Sequence, residues 1–247
     1  MGSSKGYVDY ESVGRLYQRG RALPNEVLDR WRDVVVPLLP VGTVRVADVG
    51  AGTGIFAAAW PHWYDVQVVA VEPTQGMADA AAEAGVRVTF VRGVAEDLPF
   101  HDHHLDVVWV SAAFHHFVDT RRAVAEFARV LRPGGRVFLR TYLPGRTEVT
   151  YADKFPGRAK WIGRFHTEAE LRDLFCVEGF EVVDVTDVLE WEETFAASAD
   201  WVEMMRDADS MLTALSDEDI RTGIEALHRE PDRIGRLETS LVTFERL

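Results

Sequence analysis

Residues 44–54, VRVADVGAGTG, constrain what this 247-residue chain can fold into more than any other stretch. A valine-rich run ends in three alternating glycines, Gly50, Gly52 and Gly54, and the apolar segment 55–60 follows at once. That order reads as a buried parallel strand, a tight turn and a helix start. Glycines at the turn allow positive φ and let a ligand approach with no Cβ in its way. The helix beyond it offers unpaired N–H groups to whatever lies over the turn. The stretch is therefore a candidate nucleotide-cofactor site.

The flanking sequence repeats the same alternation. Strands are expected over 44–49, 67–72, 86–91, 105–111 and 136–142, and helices over 54–60, 74–84 and 119–131. The segment LDVVWVS at 105–111 is apolar enough to be buried on both faces, and Arg132-Pro133-Gly134-Gly135 is a helix stop. Such alternation implies a parallel sheet with right-handed crossovers. Ahead of it, residues 1–5 are short and polar, an expected frayed start, and 10–36 carry apolar residues at helical spacing, broken into two helices at Leu23-Pro24-Asn25. The segment 17–24, YQRGRALP, reads either as a solvated loop or as a flap laying Tyr17, Arg19 or Arg21 over the ligand. Beyond Tyr142 a loop-like stretch, 143–166, precedes a helix over 167–177 capped by Thr167 with Glu170, and a strand over 180–191. Helices over 199–215 and 217–229, the latter capped by Ser216, then precede a last strand within 237–247. The whole, 1–247, reads as one unit: N-terminal helices to 42, a cofactor-binding core over 43–142, and a substrate-side loop, cap and last strands over 143–247.

Composition excludes several classes. A net charge of −13 disfavours unspecific binding to nucleic acid or an anionic membrane. One cysteine, Cys176, gives no internal disulfide and no thiolate cluster, and no apolar run approaches the ~18 residues of a membrane span. A soluble cytoplasmic protein is expected, monomeric or homodimeric, with a small-molecule partner. His101, His103 and His104 flank Asp102 in a loop with no second ligand set, so no metal is expected.

A dinucleotide turn spaces its glycines G-x-G-x-x-G, and the position it reserves for the third glycine is Ile55 here. The chain instead has G-x-G-x-G preceded by Asp48, an anion suited to an amine-bearing or cationic ligand. In this it resembles the class I S-adenosylmethionine-dependent methyltransferases, whose first motif is an acid followed by G-x-G-x-G. The resemblance extends to Glu72 at the end of the second strand, GVAEDLPF at 93–100, SAAFHHF at 111–117 and RVLRPGG at 129–135. It implies a Rossmann-like, seven-stranded, mostly parallel α/β sheet with helices on both faces, an N-terminal helical flap, and a helical cap inserted before the last strand. It also implies S-adenosylmethionine as cofactor and S-adenosylhomocysteine as product. The expected cofactor contacts are Tyr17, Arg21, Asp48, Gly50, Ala51, Gly52, Gly54, Glu72, Pro73, Met77, Ala95, Glu96 and Ser111, with Arg21 meeting the methionine carboxylate. One departure is Val94, where many relatives carry an acid or amide for the adenine amino group; Glu96 or backbone near Ala95 would have to replace it.

Methyl transfer from a sulfonium needs the partners held close and in line, and a base helps where the nucleophile carries a proton. His115 and His116 sit just after the fourth strand, at the sheet edge where open α/β folds bind ligands. They read either as that base, with His116 slightly favoured, or as packing and loop-orienting residues. Arg140, Tyr142 and Arg164 are expected on the substrate side. With Arg146, Arg158 and Lys160 they suit a carboxylate or phosphate acceptor, or else form a solvated basic loop. Trp191, Phe195, Trp201, Met204, Met205, Met211 and Leu212 give the late helices an apolar face, part of which could wall a pocket. Two other functions compete: an S-adenosylmethionine-binding protein that regulates or catalyses a rearrangement without methylating, and, disfavoured by glycine spacing, an NAD-dependent oxidoreductase.

Overall fold

Strand β1 (Val44–Val49) pairs in parallel with β2 (Val66–Glu72) on one side and β4 (Leu105–Ser111) on the other. In the computed structural model, which describes residues 10–42 and 44–247, these form the centre of a seven-stranded sheet. The start expected to fray, 1–5, lies outside the described residues. With β3 (Thr89–Arg92), β5 (Leu131–Thr141), β6 (Phe180–Thr194) and β7 (Ile234–Arg246), the order is β3-β2-β1-β4-β5-β7-β6. Strand β7 runs antiparallel to both neighbours. The chain winds outward from β1 in both directions, so a crevice opens between the carboxyl ends of β1 and β4, where such sheets bind ligands.

Helix α3 (Ile55–Trp63) follows β1, α4 (Gln75–Glu83) follows β2 and α5 (Thr120–Val130) follows β4. Asp119 caps α5, its side chain accepting from Arg122 N–H. Val107, Trp109 and Phe138 are fully buried on one face of the sheet with Trp31 and Trp60, while Val108, Val110 and Leu139 pack on the other with Phe127 and Phe175. Every residue of β4 short of Ser111 is buried, as its unbroken apolar run requires.

Several bounds differ from the sequence expectation. Strand β3 holds only four residues, because it pairs with β2 alone and only from Thr89. Strand β5 begins at Leu131, which pairs with Leu105, and the Arg-Pro-Gly-Gly segment bulges out before the ladder resumes at Arg136 opposite Val107. The stretch expected as loop, 143–166, contains a tight turn of helix, Thr150–Lys154, and the short α6 (Arg158–Ile162). Helix α7 (Glu168–Val177) carries the expected capping box of Thr167 and Glu170. The cap consists of α8 (Phe195–Met205) and α9 (Asp217–His228), which begins in a second capping box at Ser216 and Asp219.

The N-terminal α1 (Tyr10–Gly20) and α2 (Asn25–Val35) divide at Pro24, as expected. Helix α1 crosses α4 with backbones nearly touching. A Cβ on Gly14 would stand 2.5 Å from Gly76 O, and one on Gly76 would stand 2.2 Å from Glu11 O. Glu11 then accepts from the backbone N–H of Gln75 and Gly76 (3.2 and 2.7 Å), satisfying donors at the start of α4. At its other end α1 meets the cap: Trp201 Nε1 donates to Gly20 O at 3.0 Å, and Arg21 pairs with Asp209. The flap is thus fastened to core and cap at once. Among the described residues no helix is long and apolar enough to cross a membrane.

Candidate active site

The turn after β1 shows why it needs glycine. Gly50, Gly52 and Gly54 have φ of +70°, +56° and +75°, a region that side chains disfavour. A Cβ on Gly50 would lie 2.6 Å from that of Ala113, so the close approach of β1 and β4 loops also depends on its absence. Glu72, at the end of β2, reaches under the turn and accepts from Gly52 N–H at 2.8 Å and Thr74 N–H at 3.1 Å. Its carboxylate therefore shapes the turn. Over Gly52 lies the flap, with Tyr17 Cε1 3.7 Å from where a Cβ would sit.

Asp48 is 2 % exposed, and its Oδ1 is buried without a hydrogen-bond partner among the described residues. Burial pushes its carboxyl up to about 7, the Ala57 N–H partly opposes this, and the Glu72 charge adds to it. A buried, half-satisfied acid beside a Cβ-free turn is a site built for a donor that binding would bring.

Asp48, Gly50, Ala51 and Gly52 form one end of a cavity of about 360 Å³. Its other walls come from the end of β4, from β5 to β7, and from flap and cap. After β4, Ala112 adopts φ +50°, a strained value for a residue with a side chain. His115 and His116 follow on a tight turn, ring centroids 3.9 Å apart. His116 Nε2 hydrogen-bonds Tyr10 Oη of the flap at 3.2 Å. Both nitrogens of His115 are buried without a partner among the described residues. Burial, then the charges of neighbouring groups including Arg164, hold His115 well below its ordinary value and His116 at about 4. Both rings are therefore neutral near pH 7. On the floor, Arg140 of β5 makes a two-pronged pair with Glu190 of β6 (2.6 and 2.5 Å). Thr239 of β7 donates to the same carboxylate at 2.6 Å, and Arg140 donates to Ser111 Oγ at 3.0 Å.

These placements correct several expectations. Arg140 is buried and committed to Glu190, so it is no free anchor for an acceptor. Arg21 lines the cavity but one amino nitrogen is taken by Asp209; its Nε is buried without a partner among the described residues. Arg146 pairs with Asp187 and Glu168, and Arg158 with Asp153, which makes that loop a paired surface and not a basic pocket wall. Arg164 lies outside the cavity lining, although its charge reaches both histidines. Glu96 accepts from Val118 and Asp119 N–H (2.8 and 3.1 Å), a loop contact that occupies one oxygen of the proposed adenine partner. Met77 and Ala95 are buried under the crevice, and Pro73 borders a separate shallow depression with Val94 and Asp97. Tyr142, Ser111 and Tyr17 do line the cavity, as do Trp191, Trp201 and Met211; Phe195, Met205 and Leu212 serve the cap's own core, and Met204 is exposed. No group that could hold a metal ion occurs among the described residues.

Sequence reasoning missed Asp209, Glu190, Trp161, Phe165 and Tyr10, all of which line the cavity. Glu190 left a faint signal, a charge at an inward position of an alternating strand. The others carried none, since their partners lie far away in the chain.

Residues 47–139 match the family model described as a methyltransferase domain. An uncharacterised methyltransferase of Mycobacterium tuberculosis is 42% identical over 133 residues, 53% of this chain and 51% of the relative. A demethylmenaquinone methyltransferase of Clavibacter sepedonicus is 35% identical over 135 residues, 53% of this chain and 55% of the relative. The chain thus spans about half the length of the curated relatives it matches. Among solved structures, the YcgJ protein of Bacillus subtilis superposes with a TM-score of 0.60 at 24% identity, covering 90% of this chain and 99% of that one. The [4+2]-cyclase SpnF superposes with a TM-score of 0.62 at 22% identity, covering 96% of each chain. Residues 47–139 thus match the methyltransferase-domain family, and the acid, the glycine turn, Glu72 and the strand order agree with that match.

Proposed function

We propose that residues 1–247 work as one methyltransferase unit that moves a methyl group from S-adenosylmethionine to a small-molecule acceptor. The observation that carries this is the buried, unpartnered Asp48 oxygen beside the Cβ-free turn at Gly50 and Gly52. Asp48 would take the amino group of the cofactor, Arg21 Nε its carboxylate, and Glu72 its ribose hydroxyls. Pro73, Val94 and Asp97 would border its adenine. Bound there, the cofactor supplies an electrophilic methyl group. The chain's own part is then to exclude water with flap and cap, hold the acceptor in line, and receive a proton at a histidine nitrogen. His115 is the better placed of the two, because Tyr10 already engages His116 Nε2. A charge of −13 supports a small molecule over nucleic acid or an anionic membrane surface, and the single cysteine fits a cytoplasmic monomer or homodimer.

Calorimetry should show S-adenosylmethionine binding that Gly52→Val abolishes, since valine would be strained at φ +56° and would crowd Tyr17. Glu72→Ala should weaken binding at least tenfold. Indifference to both changes would sink the reading. The fold is shared with a cyclase, so architecture does not by itself decide the reaction. Cofactor binding without methylated product from any acceptor tried would favour a non-methylating role.

A further inference from the structure

We propose that the acceptor chamber takes an uncharged aromatic compound bearing a hydroxyl group, and that His115 receives the hydroxyl hydrogen. This rests on the methyl-transfer reading above. It departs from the anionic acceptor that the basic sequence after Tyr142 suggested.

Charge gives the first argument. The cavity is lined by two guanidinium groups, and each is closed on a carboxylate, Arg21 on Asp209 and Arg140 on Glu190. Glu193 lines it as well, with no cation of its own among the salt bridges of the described residues, while Asp48 is taken by the cofactor's amino group in the reading above. An anionic acceptor would enter a chamber whose lining cations already face carboxylates and whose remaining carboxyl, Glu193, does not favour it, and an uncompensated buried charge is expensive. Arg164 lies outside the lining, although its charge reaches both histidines.

Shape gives the second. Tyr142, Trp161, Phe165 and His115 form an unbroken run of rings, with successive centroids 5.5, 4.8 and 4.2 Å apart. A wall of this kind offers faces and edges to a flat partner. Polar satisfaction gives the third. Along the run, both nitrogens of His115 and Nε1 of Trp161 are buried with no hydrogen-bond partner among the described residues. A neutral imidazole has one donor and one acceptor, and leaving such buried groups unpaired is unfavourable. A hydroxyl on the acceptor satisfies the imidazole lone pair, and a second oxygen on the same ring system would accept from Trp161. The weakened basicity of His115 points the same way. It is better matched to a phenolic proton, near ~10, than to the far less acidic proton of an aliphatic hydroxyl.

The test is calorimetric titration of the protein saturated with S-adenosylhomocysteine, using naphthol, naphthoate, naphthylmethylamine and decahydronaphthol as probes. Naphthol should bind at least tenfold more tightly than each of the others. His115→Asn and Trp161→Phe, the latter keeping the ring while removing the N–H, should each weaken naphthol at least threefold with S-adenosylhomocysteine affinity retained. Tighter binding of naphthoate or of the amine, equal binding of the saturated alcohol, or binding of none of the four overturns the acceptor class while leaving the methyl-transfer reading intact. Failure to bind S-adenosylhomocysteine overturns both.

Discussion

Replacing Glu190 with alanine is expected to lower the unfolding free energy by about 3–5 kcal/mol, the range for breaking a buried ion pair from one side. Glu190 is 1 % exposed and accepts two bonds from Arg140 and one from Thr239. The variant strands a guanidinium that is itself 8 % exposed and cannot deprotonate to escape the cost. Trp31 and Phe56 lie 5.4 and 5.5 Å from the Arg140 carbon in the parent already, so these contacts do not make up for the lost carboxylate. The same physics limits what the pair contributes. Removing both partners, as Arg140→Met with Glu190→Leu, should recover most of the stability, because the desolvation penalty goes with the charges. Urea denaturation of the parent and the two variants checks this. A loss below about 1 kcal/mol in Glu190→Ala would mean that water screens the pair, contrary to its burial.

The parts legible in the sequence are those whose causes are local. Strand β1 and strand β4 fall where the apolar runs end, and α7 and α9 begin at capping boxes visible as Thr167/Glu170 and Ser216/Asp219. The proposed cofactor platform is legible for the same reason: Asp48, Gly50 and Gly52 are neighbours in the chain, and Glu72 closes the next strand. Strand β3 was overestimated because its length is set by how much of β2 is available to pair, which no local pattern records. The sequence leaves open whether the arginines around Tyr142 form a basic pocket wall or a solvated loop, because a guanidinium announces itself in sequence while its partner does not. Arg140 finds Glu190 fifty residues later, and Arg21 finds Asp209 188 residues later, across flap and cap. Charge in a sequence becomes charge in a pocket only after such pairs are subtracted.

Asp48→Asn is expected to make the ligand-free protein more stable at neutral and alkaline pH, by about 2–4 kcal/mol, while weakening S-adenosylmethionine at least tenfold. The carboxyl ionises at 3.8 when unfolded and at about 7 in the fold, so between those values the folded state holds the extra proton. For an acid raised in this way, the contribution is present below the unfolded value and is lost as pH climbs through the folded one. At ~1.36 kcal/mol per unit the full penalty is about 4 kcal/mol above pH 7, and the buried amide of asparagine retains some of it. His116 works in the opposite sense. Its value falls from 6.5 to about 4 on folding, so the unfolded chain takes the proton first and stability is lost as pH falls through that window. In the native chain the two slopes oppose each other over mildly acidic pH. Asp48→Asn removes one of them, so its advantage should shrink on acidification and its own acid loss should be steeper. Urea denaturation of both proteins across this range reads out the difference. A variant less stable than the parent at about pH 8 would show that the Asp48 carboxylate is satisfied in the empty site, and that the cofactor's amino group has no unpaired charge to meet there.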